Sequence, residues 1–126
     1  MLLVRTGYLG AWYAEEDLSV KNDTWWQIEP GLTIDCVEWL GQMDVAACAL
    51  DNWAVETVPF EEGVDRPFPV HQIAIPGLGL TLGEFWWLDD LAADCAQDGV
   101  YEFFLAAQPL NVTNASGTML NPMAVK

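Results

Sequence analysis

The chain has one histidine, His71, and a glutamate, Glu84, thirteen residues after it, at the two ends of the stretch HQIAIPGLGLTLGE. An imidazole nitrogen and a carboxylate oxygen are both good donors to a divalent metal ion, and the same pair also makes the ordinary hydrogen-bonded contact of a structural histidine. Between them stand the helix breaker Pro76, the glycines Gly77, Gly79 and Gly83, and Leu78, Leu80 and Leu82 at the alternate spacing of a strand. A turn followed by a strand would carry Glu84 back toward His71. Two donors are fewer than the three that a catalytic zinc site takes from its protein. Asp51 and Glu56 are the candidates for a third, and one histidine among carboxylates suits Mg²⁺, Mn²⁺ or Ca²⁺ better than zinc. Asp51, Asn52, Trp53 and Glu56 are also the candidates to line a pocket. Nucleophilic chemistry has less behind it. Ser19 and Ser116 lie in no nucleophile-elbow sequence, and Gly77, Gly79 and Gly83 lack the spacing of a phosphate-cradling loop.

The elements that must position these groups follow from the apolar pattern. Residues 1–6 read as a strand ending at a turn on Gly7, so the chain opens inside a sheet. Residues 8–26 are aromatic and acidic without a clear period and are expected to be a long loop with some helix. After the Pro30-Gly31 turn, Thr33 is a good N-cap for a helix through about Leu40, with Ile34, Val37 and Leu40 on one face and Gly41 placed to stop it. The run from Val45 to Leu50 has the continuous apolar character of a buried parallel strand. Asp51, Asn52 and Glu56 then fall at its C-terminal end, where open α/β sheets hold ligands. A proline- and acid-bearing loop over 59–69 leads into His71. Leu88, Leu91, Ala92, Cys95 and Ala96 fit a second main helix stopped by Gly99, residues 101–107 fit a strand, and residues 123–125 a short edge strand.

At 126 residues, 52% of them hydrophobic, the chain can bury a core and is expected to form one domain over 1–126. Nineteen acidic residues against four basic ones give a net charge of −15, which excludes nucleic acid and anionic membrane surfaces as partners and allows cationic ones. Cys36, Cys48 and Cys95 are odd in number and set among apolar neighbours, so free buried thiols and a reducing, cytoplasmic location are expected. No window approaches the ~20 apolar residues of a spanning helix. Seven tryptophans suit a core, an interface or a pocket for an aromatic ligand. In an extended segment, Trp25 and Trp26, like Trp86 and Trp87, point to opposite faces, so both faces must be covered.

The segments LLVRTGY at 2–8, PGLT at 30–33, ALDNWAVE at 49–56, VHQ at 70–72, LTLGE at 80–84, LAADCAQDGVYEF at 91–103 and NPMAV at 121–125 resemble, in order, the C-terminal half of the cyclase family of metal-dependent hydrolases. That family includes kynurenine formamidases and isatin hydrolase. The resemblance implies an α/β fold that is part of the family's swivelling β/β/α arrangement, with a mixed sheet and two main helices. It also implies that His71 and Glu84 match the last two ligands of a zinc or manganese site, at which the family hydrolyses N-formyl amides, cyclic amides and related carbonyl compounds by a metal-activated water. The family's H-x-G-T-H-x-D-x-P-x-H motif, which supplies the other ligands, is absent.

The expectation is therefore a truncated, stand-alone cyclase-like segment without catalysis of its own, acting as an oligomeric small-molecule-binding or structural protein. His71 and Glu84 are expected to lie near one another and to hold no metal tightly, so no tightly bound cofactor is expected. The alternative is a hydrolase of small amides, with zinc or manganese, completed by its own oligomer or by a complementary chain carrying the missing motif. Homo-oligomerisation is expected to involve Trp12, Trp25, Trp26, Trp86, Trp87 and the strand from Leu2, and to tighten as salt screens the negative charge.

Overall fold

The three residues Leu2–Val4 form strand β1, and their partner is the apolar run anticipated in the middle of the chain, β2 (Ala47–Leu50). The two run parallel, Leu2 opposite Cys48 and Val4 opposite Leu50. On the other side of β2 lies β3 (Thr81–Gly83), also parallel, so the sheet order is β1-β2-β3 with β2 in the centre. The computed structural model describes residues 1–63 and 65–126.

Each strand of a parallel pair needs a crossover, and helices supply them. After β1 come α1 (Tyr8–Ala14), α2 (Leu18–Asp23) and α3 (Ile34–Gln42); between β2 and β3 comes α4 (Pro69–Ile73), running into a π-helical turn over Ala74–Leu78. Cys48 and Leu50, two residues apart and hence on one face of β2, are fully buried with Val37 and Leu40 of α3, Val70 of α4, and Val55, Ala74 and Leu80. Ala49 faces the other way and is equally buried. There Gly83 leaves room for the Trp86 indole: a Cβ on Gly83 would stand 2.8 Å from the Ala49 Cβ and 2.9 Å from the indole nitrogen. Both faces of β2 are covered, which is why its sequence is apolar without alternation.

Several boundaries differ from expectation. Residues 8–26 are mostly helical: α1 buries only Tyr8 and Leu9, and α2 buries nothing, so neither prints a strong apolar stripe on the sequence. Asp17 caps α2, accepting hydrogen bonds from the Ser19 amide at 2.8 Å and its hydroxyl at 2.7 Å. Thr33 precedes α3, but its side chain makes no capping bond; the Ile34 amide donates instead to Glu61 at 2.9 Å, a carboxylate placed at the positive end of the helix. Gly41 does not stop α3. It lies within the helix, where its missing Cβ accommodates Leu78, and the chain turns at Asp44 (φ 50). Pro76 lies inside the π-helical turn, and Leu78 belongs to that turn rather than to β3.

The chain divides into two compact units, Met1–Asp89 and Asp90–Lys126. The second unit carries most of α5 (Asp89–Asp98), stopped at Gly99 (φ 73), and the strands β4 (Phe104–Ala106) and β5 (Met123–Val125). These two strands pair antiparallel as a sheet of their own, Leu105 opposite Ala124, so the expected single mixed sheet is instead a parallel and an antiparallel one. Among the described residues five α-helices stand where two main ones are expected. Lys126 ties the unit together, donating to Asp98 at 2.8 Å and to the Val100 carbonyl at 2.9 Å, with Asp94 at 2.9 Å. The three cysteines are free, and among the described residues no helix is long and apolar enough to cross a membrane.

Candidate functional site

The C-terminal end of β2 delivers Asp51, Asn52 and Glu56, all buried, into a bend held by hydrogen bonds on every side. Asp51 accepts from the Thr6 amide at 2.6 Å, the Thr6 hydroxyl at 2.7 Å and the Gly7 amide at 2.8 Å, so both of its oxygens are spent on closing the turn after β1. Asn52 donates to the Pro30 carbonyl at 2.8 Å and accepts from the Val55 amide at 3.1 Å. Trp53 sits edge-on to Trp26 and Phe68, with ring centroids 5.8 and 5.9 Å away. These three shape the loop, and the side-chain oxygens of the two polar ones are hydrogen-bonded within it.

Glu56 has a different task. Its carboxylate is 1% exposed and accepts from the amides of Val70 at 3.0 Å and His71 at 2.8 Å, in the first turn of α4. It also takes the His71 Nδ1–H at 2.8 Å. An ionised carboxylate only accepts, so this contact puts a proton on Nδ1 and turns Nε2 outward. Nε2 then meets Glu84 Oε1 at 3.3 Å, the approach that the turn and β3 were expected to produce. Phe68 packs edge-on against the imidazole, centroids 5.7 Å apart. The hydrogen bond to Glu56, and next that to Glu84, push the His71 pKa up to about 9 against the opposing effect of burial. At neutral pH the ring is thus an imidazolium clamped between two carboxylates. With Nε2 deprotonated, it presents a lone pair beside a carboxylate oxygen.

That donor set provides two positions of a metal shell and no more. Glu56 is behind the ring with its oxygens used, Asp51 is closed, and among the described residues no group of three or more histidine, cysteine, aspartate or glutamate side chains is arranged to hold a metal ion. The zinc or manganese that the resemblance implies therefore does not fit this chain taken alone, and no reaction step is routed through it.

Two features lie outside the residues anticipated for the site. Glu29, 2% exposed, accepts from the amides of Ala54 at 2.8 Å and Trp53 at 3.2 Å, and burial pushes its pKa up to about 7 despite those bonds. It braces the 52–55 bend from the far side, and its only sequence signal is a single acid in the apolar window WWQIEPGL. The second is a cavity of about 350 Å³ lined by Tyr8, Leu9, Trp12, Tyr13, Trp26 and Phe85. The aromatic content announces such a pocket, but α1, which presents four of its residues, was not legible as a helix. Of the tryptophans expected at an interface, Trp86 is buried under Gly83, and Trp25 is edge-on to Tyr8 at 5.0 Å and accepts the Tyr8 hydroxyl on its carbonyl. Trp26 and Trp87 are about half exposed.

The family model Cyclase, described as "Putative cyclase", matches residues 1–57. A crystal structure described as that of a novel cyclase is similar to 99% of this chain, with 43% identity and a TM-score of 0.88, and the match covers 40% of that longer chain. No curated protein matches. The chain thus spans about two fifths of the length of the solved relative.

Proposed function

Taking the chain as a partial cyclase, related to a protein of which it spans 40%, we propose that it carries the histidine–glutamate half of a metal-dependent amide hydrolase site and is silent by itself. The observation behind this is the orientation of His71: a buried carboxylate, Glu56, directs its Nε2 toward Glu84, as a second carboxylate does for metal-binding histidines, while among the described residues no group of three such side chains is arranged to hold a metal ion. The remaining donors come from a polypeptide segment bearing the histidine motif; the resemblance of this chain's segments to the C-terminal half of the family supports that reading. A metal held in the completed site would supply an activated water for hydrolysis of N-formyl or cyclic amides. The chain's own part is to hold Nδ1 protonated, aim Nε2 and keep the site's back wall dry with Phe68 and Phe60, whose rings lie 5.2 Å apart.

Alone, the chain self-associates, as an oligomeric binding or structural protein does. Trp26, Trp39, Ile73 and Ile75 are each between two fifths and one half exposed, and β1 and β3 are open sheet edges. The deciding experiment mixes the chain with a polypeptide carrying H-x-G-T-H-x-D-x-P-x-H, adds zinc or manganese, and follows hydrolysis of an N-formyl aromatic amine. Activity only in the mixture, lost in His71→Ala, is expected. Stoichiometric metal retained through chelator dialysis by the chain alone, with turnover, overturns the proposal.

A further inference from the structure

The cavity beside α1 is unusual in what lines it. Five of its six lining residues are aromatic, Tyr8, Trp12, Tyr13, Trp26 and Phe85, and the sixth is Leu9. No formally charged side chain and no side-chain amide lines it; the polar atoms of the lining side chains are tyrosine hydroxyls and indole N–H groups, carried on large apolar rings. The rings are set at steep angles to one another: Trp12 and Tyr13 lie 5.1 Å apart at 84°. Such walls present ring faces and edges to one space from different directions.

The faces of aromatic rings are electron-rich and attract cations. One of these rings already does so. The Lys21 ammonium stands 4.4 Å from the Trp12 ring centroid. The surrounding charge points the same way, since the chain carries −15 overall and Glu15, Glu16 and Asp17 directly follow the helix that presents Tyr8, Trp12 and Tyr13. A negative field concentrates cations at the mouth of a site that has no counter-ion within it.

We propose that this cavity is a binding site for a small organic cation of the quaternary ammonium class, held by cation–π attraction. This inference is independent of the His71–Glu84 reading. A methylated ammonium suits the lining because it is weakly hydrated, offers no hydrogen bonds that would go unanswered, and a volume of about 350 Å³ admits it with an attached short chain. Lys21, stacked on one of the lining rings, adds a like charge near the site.

The test titrates the full chain with choline and, in parallel, with 3,3-dimethylbutan-1-ol, its uncharged carbon isostere, following tryptophan fluorescence and confirming by calorimetry. Choline is expected to bind at least about tenfold more tightly than the isostere. Trp12→Leu abolishes the difference, and Lys21→Met tightens choline about threefold by removing a like charge, leaving the isostere unchanged. Should Trp12→Leu not fold, Tyr13→Leu, at a position 63% exposed, replaces it, with Tyr13→Phe retaining binding. Equal affinity for the neutral isostere, no binding of choline, or indifference to both leucine variants overturns the proposal.

Discussion

Replacing Glu29 by glutamine separates the electrostatic cost of this buried acid from its hydrogen bonds. Glu29 titrates near 4.5 when exposed and near 7 in the folded chain, with burial as the leading cause. A carboxyl whose folded pKa is raised contributes stability that is fully present below 4.5, where both states are protonated. It loses that stability as pH rises through about 7, because the unfolded chain releases its proton first. The gap corresponds to about 3 kcal/mol at roughly 1.4 kcal/mol per pH unit. Glutamine matches the shape, offers one oxygen to the Ala54 or Trp53 amide, and does not titrate. Urea unfolding of both proteins, followed by tryptophan fluorescence at one protein concentration and at several pH values from 4 to 8, should show the wild type losing stability relative to Glu29→Gln as pH rises from 4.5 to about 7. The wild-type advantage should grow by about 3 kcal/mol toward pH 4.5. Other acids titrate in both proteins and cancel in the difference. Parallel stability curves across this range would refute the account of Glu29 as a carboxyl whose pKa burial raises.

Glu56→Gln should lower the His71 pKa from about 9 toward its ordinary 6.5, measured by NMR of the imidazole carbons, since the Glu56 hydrogen bond is the leading cause of the rise; an unchanged value would show that Glu84 dominates. Gly31→Ala should leave little folded protein by circular dichroism, because a Cβ there would stand 2.2 Å from the Glu56 carbonyl carbon and 2.6 Å from the Val55 oxygen, backbone atoms that cannot step aside. A stable Gly31→Ala protein would mean that the 29–32 and 55–58 segments are not locked together as Glu29–Val58 and Leu32–Glu56 pairing implies.

The central strand was legible because burial on both faces leaves a direct mark: an unbroken apolar run from Val45 to Leu50 bounded by aspartates. The second helix was legible for a similar reason, a 3.6-residue stripe ended by a glycine that takes φ 73. The meeting of His71 and Glu84 also followed from local chemistry, since a turn and a parallel strand between them leave few other outcomes. The roles of the acids were decided elsewhere. Asp51, Glu56 and Glu29 look alike in sequence, yet one closes the turn at Thr6, one holds a histidine and one has its pKa raised to about 7 by burial. Each role depends on a partner 15 to 45 residues away, brought close by the register of β1 on β2 and by the bend at residues 51–56. The same holds for Glu61 at the start of α3, where Thr33 had the better local claim. Hydrophobic period and turn residues act over a few positions and so can be read along the chain. The partner of a buried charge is chosen by which distant amides are left without one, and only the tertiary structure brings those together.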